Sequence, residues 1–268
     1  MYERVIIICG MPRSGTSWLG QVFDSSPEVA YRMEPLFSYS FKNIINITSS
    51  AEEIESFLDG VYRTNDEFIH QKENRYKGIY PEFNKNEKAG ILVFKTTRHH
   101  ELLRKYIEAV DNLQIVSIVR HPCAVINSWI HSYKEFEKKG CSIAKDWKTG
   151  SCRKGEVGEY WGFNDWLSVT NEHVELSNEY SNFNILKYTD LIQTPEDTVK
   201  ILFRNLSIQY VEQTAGFLKV CHSTHNDNPY SVFKSKSVET KWKVELDVRI
   251  QQEIINCTTA ANLDQFLQ

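Results

Sequence analysis

Short apolar runs bounded by polar residues recur along the chain and predict the strands of a sheet. Four of these runs cover residues 5–9, 91–95, 115–119 and 184–188, and a weaker fifth covers residues 29–33. Nearly every residue of these runs is apolar, whereas a strand with one solvent-exposed face alternates apolar and polar residues. Such strands are typical of a parallel sheet that is covered on both faces.

Stretches with helical periodicity separate these runs. They cover residues 17–25, 102–110, 122–133, 164–180 and 195–206. Pro122 stands at a helix-start position, and Thr194 is the expected N-cap of the last of these helices. Strands that alternate with helices predict an α/β fold, and 268 residues suit one domain with substantial insertions.

Two long segments do not follow this alternation. Residues 41–86 are polar, with one possible helix at residues 51–62, and residues 134–162 are rich in Lys, Gly and Trp without a clear period. Long irregular segments inside a compact domain are commonly functional or disordered. We expect these two segments to form the acceptor-binding part of the molecule.

The overall charge excludes a general basic surface. The formal net charge is −4 and the pI is about 6.1, which argues against a nucleic-acid-binding protein, so any anion site must be a local cluster. The apolar run at residues 5–9 is too short for a signal peptide or a membrane span. We expect no membrane span and a cytoplasmic location, unless an N-terminal anchor precedes this sequence in the natural protein.

The six cysteines form no metal-binding or redox motif. They are Cys9, Cys123, Cys141, Cys152, Cys221 and Cys257. Free thiols in a reducing compartment are the first expectation. Cys141 and Cys152 flank a loop-like segment and would be able to pair if the protein were exported.

The first predicted strand runs into a glycine-bearing turn and then a predicted helix, with the sequence GMPRSGTSWL at residues 10–19. The start of a helix offers unpaired N–H groups and a partial positive charge, which together bind anions. Gly10 and Gly15 have the spacing of a P-loop, but Thr16 stands where a P-loop kinase has lysine. The loop cation is instead Arg13, and the strand at residues 115–119 ends in Arg120. This pattern favours a phosphate-bearing ligand that is bound without magnesium.

The sequence PRSGTSW at residues 12–18 resembles the 5′-phosphosulfate loop of sulfotransferases that use 3′-phosphoadenosine-5′-phosphosulfate (PAPS). The second signature of that family is an Arg at the end of a strand followed eight residues later by a Ser. Arg120 and Ser128 have this placement. The resemblance implies a P-loop-type three-layer domain with a central parallel sheet flanked by helices. It also implies that the product is the corresponding bisphosphate, PAP.

The resemblance implies a set of nucleotide contacts. The 5′-phosphosulfate would be held by Arg13, Ser14, Gly15, Thr16 and Ser17. Trp18 would stack on the adenine, Arg120 and Ser128 would hold the 3′-phosphate, and Tyr188 would lie near the nucleotide. Ser235 and Lys241 are the best candidates for closing the site from the C-terminal side. The family pattern involves no metal.

Sulfuryl transfer needs a base for the acceptor proton and a cation for the charge that develops on the leaving group. The resemblance to carbohydrate and tyrosyl-protein sulfotransferases favours Glu34 as the base. Pro35 should keep Glu34 extended, and partial burial should raise its pKa. His99 is the alternative base, because steroid and phenol sulfotransferases have a His near this point. Lys95 is the candidate cation, with Arg13 as the alternative.

The aromatic residues of the irregular segments suit a sugar ring, and the alternative is that they pack the insertion. They are Tyr80, Trp147, Tyr160, Trp161, Phe163 and Trp166. The sequence therefore favours sulfation of a carbohydrate hydroxyl, with a phenol, a lipid or a protein tyrosine as other acceptors. A P-loop metabolite kinase and a nucleotide-binding module without catalysis are the alternatives from other classes. Nothing in the pattern indicates an oligomeric state.

Overall fold

A computed structural model describes residues 2–223 and 239–268. Its centre is a five-stranded sheet with the order β2-β3-β1-β4-β5, and every pairing within it is parallel. The strands are β1 (Arg4–Cys9), β2 (Val29–Met33), β3 (Ile91–Thr96), β4 (Leu113–Val119) and β5 (Phe183–Lys187). All five predicted strands are present, and the predicted central parallel sheet of an α/β fold is confirmed.

Helices connect the strands and continue beyond the last one. They are α1 (Thr16–Asp24), α2 (Ala51–Arg63), α3 (Lys72–Tyr76), α4 (Leu103–Ala109), α5 (Pro122–Ile130), α6 (Ile143–Thr149), α7 (Phe163–Glu179), α8 (Tyr188–Gln193), α9 (Pro195–Asn205), α10 (Glu212–Ser223), α11 (Trp242–Glu245) and α12 (Val248–Ala260). Within the two described ranges, no helix combines the length and the apolar content that crossing a membrane would require.

The sheet is buried on both faces, because alternate residues of its central strand enter different core clusters. Ile6 and Ile8 of β1 pack in one cluster, whereas Ile7 packs in the other, together with Phe94 and Tyr106. This arrangement explains why the strands read as continuous apolar runs in the sequence.

The register of the strands brings their carboxyl ends to one edge of the sheet. Cys9 of β1 lies beside Thr96 of β3 and beside Ser117 of β4, and Met33 of β2 lies beside Lys95. The segments that follow β1, β2, β3 and β4 therefore begin next to one another. In open α/β sheets this edge is where ligands bind.

Several helices differ from the sequence predictions. The predicted helix in the first irregular segment is confirmed as α2, which begins with a capping box between Ser50 and Glu53. The short helices α3 and α6 and the C-terminal helices α10 to α12 were not predicted. Thr194 does hold the N-cap position of α9, but its hydroxyl donates to the Asp190 carbonyl at 3.3 Å and caps no backbone N–H.

The expectation of free thiols is wrong for one pair of cysteines. Cys141 and Cys152 form a disulfide, whereas Cys9, Cys123, Cys221 and Cys257 are free. The carboxylate of Asp146 lies inside the closed loop and accepts hydrogen bonds from the backbone N–H groups of Ser142 (2.8 Å) and Cys152 (3.1 Å). The disulfide and this carboxylate together fix the second irregular segment around α6.

We predict that Cys152→Ser lowers the free energy of unfolding by about 2–3 kcal/mol, because a disulfide restricts the unfolded chain. Chemical denaturation followed by circular dichroism measures this change. The matched control is Cys257→Ser, which removes a free thiol and should leave stability nearly unchanged. Equal stability of the Cys152→Ser variant and the oxidised parent would contradict the prediction.

Candidate active site

The loop between β1 and α1 is shaped by residues in the left-handed backbone region. Gly15 has a φ of 94°, and Arg13 has a φ of 72°. A Cβ atom on Gly15 would lie 2.5 Å from the ring of Tyr188, so no other residue fits there without displacing that ring. The Leu19 N–H donates to the Gly15 carbonyl and begins α1. The loop therefore leads directly into the first N–H groups of α1, a kind of position where anions bind in proteins.

The two predicted phosphate cradles lie in direct contact. Arg13 Nε donates to Ser128 Oγ at 3.1 Å, and an Nη atom of Arg120 donates to the carbonyl oxygen of Arg13 at 3.1 Å. Ser128 lies on α5, which begins directly after β4 and Arg120. The tertiary structure therefore brings together the two motifs, which are more than a hundred residues apart in the sequence.

Aromatic rings cover the same corner of the site. The guanidinium of Arg120 lies over the Tyr188 ring at 4.6 Å, and Trp18 meets Tyr188 edge-on at 6.1 Å between ring centroids. Tyr188 begins α8, so the predicted strand at residues 184–188 ends one residue too late. Trp18 and Tyr188 are both buried. A nucleotide base at this corner would meet aromatic surface.

Arg120 also forms an ion pair that the sequence did not predict. Its Nε lies 2.9 Å from Oε2 of Glu239, and the two side chains are only 5% and 14% exposed. Burial raises the pKa of Glu239, although the charge of Arg120 opposes this shift. A buried Arg needs an anionic partner. The sequence pattern indicated a phosphate-bearing ligand as that partner and carried no signal for Glu239.

Glu34 has a different conformation from the one predicted. It lies in the left-handed region with a φ of 42° and precedes a short 3₁₀ turn at Pro35–Phe37. Pro35 excludes the right-handed helical region for Glu34, but it leaves the left-handed region open as well as the extended one. The turn places the carboxylate over the end of β3, where Glu34 Oε1 lies 3.0 Å from Lys95 Nζ.

The pKa of Glu34 is lowered, and the expectation of a raised pKa is wrong. Burial alone would raise this pKa, but the charge of Lys95 and hydrogen bonds from Thr97 outweigh it. Thr97 donates its hydroxyl to Glu34 Oε1 at 2.7 Å and its backbone N–H to the same oxygen at 3.0 Å. Glu34 is therefore an ionised carboxylate at neutral pH.

Lys95 connects this carboxylate to the anion-binding loop. It is buried near the end of β3, and its Nζ donates to Ser17 Oγ at 3.3 Å while it pairs with Glu34. The Glu34 carboxylate, the Lys95 ammonium group and the Ser17 hydroxyl in the first turn of α1 thus form one continuous chain of polar contacts. An acid–base group and a cation are held beside the site where a transferable group would be bound.

His99 is turned toward a different partner. Its ring Nδ1 lies 3.0 Å from Glu101 Oε1, and its backbone N–H donates to the Gly158 carbonyl at 3.0 Å. The structure thus places His99 beside Glu101, whereas Glu34 holds the place next to Lys95 and the loop. Lys241 precedes α11 and is exposed. Ser235 lies outside the described residues.

Residues 5–212 match the model of the sulfotransferase family. This chain belongs to that family. No curated protein matches the sequence.

Solved structures agree with the family assignment at the level of the fold. The sulfotransferase domain of the Synechococcus PCC 7002 olefin synthase has 14% identity and a TM-score of 0.58, covering 97% of this chain and 94% of that domain. A mouse sulfotransferase complexed with PAP has 15% identity and a TM-score of 0.58, covering 97% and 84% of the two chains. Retinol dehydratase in a complex with retinol and PAP has 11% identity and a TM-score of 0.54, covering 98% and 82%.

A pocket lies beside the segment that follows Glu34 in this sulfotransferase, although Glu34 itself does not line it. It has a volume of about 320 Å³ and is lined by Leu36, Phe37, Lys42, Asn43, Arg98, His99, Gly155, Glu156 and Val157. Lys42 and Glu156 form an ion pair of 2.8 Å, and Arg98 stacks on Phe37 at 4.2 Å. The residues come from the segment after Glu34, the segment after β3 and the second irregular segment.

The predicted aromatic residues do not line this pocket. Tyr80, Trp147, Trp161, Phe163 and Trp166 are buried in the core clusters, and Tyr160 donates its hydroxyl to Glu101 Oε2 at 2.7 Å. The expectation that they form the acceptor surface is wrong, because their apolar area packs the insertion against the domain. The aromatic ring at the pocket is Phe37, which is 46% exposed.

We predict that Thr97→Val raises the pKa of Glu34, because the variant loses the hydroxyl that stabilises the ionised carboxylate. A ¹³C NMR titration of the Glu34 carboxyl measures the shift.

In the parent, the lowered pKa means that ionised Glu34 stabilises the fold above its ordinary pKa of 4.5. This contribution is lost as the pH falls through the lowered value.

Thr96→Val is the matched control, because the Thr96 hydroxyl donates to the Arg98 carbonyl at 2.7 Å. The Thr96→Val variant should have the same Glu34 pKa as the parent. An unchanged Glu34 pKa in Thr97→Val would contradict the prediction and would mean that Lys95 and the backbone N–H of residue 97 hold the carboxylate ionised without the hydroxyl.

Proposed function

We propose that this chain transfers the sulfuryl group of PAPS to a hydroxyl group of a carbohydrate, with Glu34 as the general base. One observation carries the proposal. Lys95 Nζ contacts both Glu34 Oε1 at 3.0 Å and Ser17 Oγ at 3.3 Å. The base and the anion-binding loop are thus joined through one buried cation, which is the arrangement that transfer from a bound anion to an alcohol needs.

The nucleotide contacts follow from the two cradles. We assign the 5′-phosphosulfate to the loop residues Arg13, Ser14, Gly15, Thr16 and Ser17, the 3′-phosphate to Arg120 and Ser128, and the adenine to the corner of Trp18 and Tyr188. Two similar structures contain PAP, which supports PAPS as the co-substrate. No step of this reaction calls for a metal.

In the proposed reaction, the Glu34 carboxylate takes the proton of the acceptor hydroxyl. The hydroxyl oxygen forms a bond to the sulfur of PAPS, and the bond between the sulfur and the 5′-phosphate oxygen breaks in line with it. Lys95 is placed to neutralise the charge that develops on the leaving phosphate, with Arg13 as a second cation in the loop. As Lys95 turns to the leaving group, Glu34 loses its counter-ion and becomes a stronger base.

The composition of the pocket after Glu34 supports a carbohydrate acceptor. Its rim carries the charged side chains of Lys42, Arg98 and Glu156, which offer hydrogen bonds to several hydroxyl groups, and the Phe37 ring offers an apolar face. Steroid and retinoid acceptors favour drier pockets. Phenol, lipid and tyrosine acceptors are the competing outcomes of an acceptor screen.

The cytoplasmic location expected from the sequence stays a prediction. The Cys141–Cys152 disulfide favours an oxidising compartment instead, because cytosolic thiols are kept mostly reduced.

We predict that PAP raises the thermal midpoint of the protein more than AMP or ADP does, because only PAP carries a 3′-phosphate for Arg120 and Ser128. Ser128→Ala should reduce the affinity for PAP by about tenfold, the effect of one lost hydrogen bond to a charged group, with little change for AMP. Differential scanning fluorimetry and calorimetric titration measure these effects.

Ser132→Ala is the control, since it removes a buried hydroxyl four residues further along the chain, just after the end of α5, and should bind PAP like the parent. An equal response to PAP and AMP would reject the 3′-phosphate assignment. Thermal stabilisation by ADP with magnesium, without stabilisation by PAP, would favour a metabolite kinase.

We predict that Glu34→Gln lowers kcat by about two to four orders of magnitude, the usual contribution of a general base, while PAP affinity changes little. Turnover is followed with labelled PAPS and a panel of carbohydrate acceptors. His99→Ala should retain turnover within several-fold. The reverse result, with activity lost in His99→Ala and kept in Glu34→Gln, would move the base to His99.

A further inference from the structure

The 3′-phosphate cradle already contains an anion of the protein itself. Glu239 Oε2 lies 2.9 Å from Arg120 Nε, and an Nη atom of the same guanidinium donates to the Arg13 carbonyl. Arg120 is thus bound at the same time to the phosphate loop and to a carboxylate. Both side chains of the ion pair are largely buried, so water screens their charges poorly.

A carboxylate and a phosphate are equivalent partners for arginine, since the planar guanidinium donates two parallel hydrogen bonds to either. A 3′-phosphate bound at Arg120 would place a second anion beside Glu239. Two anions in a poorly solvated site repel each other, so one of them must leave or become protonated.

We infer that Glu239 is an internal counter-ion that competes with the 3′-phosphate for Arg120 and thereby limits the affinity for 3′-phosphorylated nucleotides. This inference rests on the proposed function. Without nucleotide, Glu239 supplies a carboxylate counter-ion to the buried guanidinium of Arg120. When PAP is the product, Glu239 returns to Arg120 and favours release of PAP. Nucleotides that lack a 3′-phosphate do not compete with Glu239.

The contacts of the residues that follow Glu239 allow its side chain to leave Arg120 while the C-terminal segment stays in place. Trp242 of α11 stacks on His121 at 4.4 Å between ring centroids, and Glu245 accepts a hydrogen bond from Asn127 at 2.8 Å. These contacts hold α11 against α5 without using Arg120. The raised pKa of Glu239 agrees with a carboxylate that burial destabilises and that Arg120 retains.

Glu239→Gln tests the inference in the full-length protein. The variant keeps the size of the side chain and removes its charge, so PAP should bind about tenfold more tightly, as expected when a like charge is removed from a poorly solvated site. The affinity for AMP should not change. Calorimetric titration with PAP and with AMP gives both dissociation constants, and inhibition of turnover by added PAP should become stronger.

The matched control is Glu245→Gln, which makes the same change of charge on the same segment without touching Arg120. Its PAP and AMP affinities should equal those of the parent. Glu239→Ala provides a second variant and should also bind PAP more tightly, because it too removes the competing charge.

Weaker PAP binding in Glu239→Gln would overturn the inference, because it would mean that Glu239 orients Arg120 for the phosphate. Equal tightening for PAP and AMP would also overturn it, since that would be a general effect of charge. If the parent protein binds PAP no better than AMP, that result rejects the proposed function itself and not only the role of Glu239.

Discussion

The parallel pairing of β1 with both β3 and β4 is the constraint on which this site depends. Because β1 lies between these strands in the same direction, the loop after β1 begins beside the ends of both neighbours. One neighbour supplies Lys95 and the other is followed by Arg120. A shift of either strand by one residue would turn these side chains to the opposite face of the sheet. The buried apolar faces of the strands hold the register and therefore hold the site.

Charge compensation is the second organising feature. Lys95 pairs with Glu34, Arg120 pairs with Glu239, and Arg98 pairs with Glu159 at 2.8 Å. Buried cations need such partners, since an unpaired charge away from water is costly. The binding of an anionic substrate at such a site is an exchange of one anion for another. The protein carboxylates thus influence both the acid–base chemistry proposed for Glu34 and the nucleotide affinity proposed for Glu239.

The accuracy of the sequence predictions follows the range of the interactions that decide each feature. The strands and the glycine turn were predicted because apolar continuity and φ requirements are local properties. The conformation and pKa of Glu34 were predicted wrongly, because Lys95 and Thr97 determine them from about sixty residues away. The aromatic residues of the irregular segments were assigned to a binding surface, but the packing of the insertion buries most of them.

The sequence by itself determined the α/β fold, the glycine turn after β1 and the two arginine motifs, because each of these is encoded by neighbouring residues with a fixed spacing. Only the tertiary structure decided which charges meet: Glu34 with Lys95, and Glu239 with Arg120. These contacts join chain segments whose separation in space depends on how the whole core packs, and no local pattern specifies that distance.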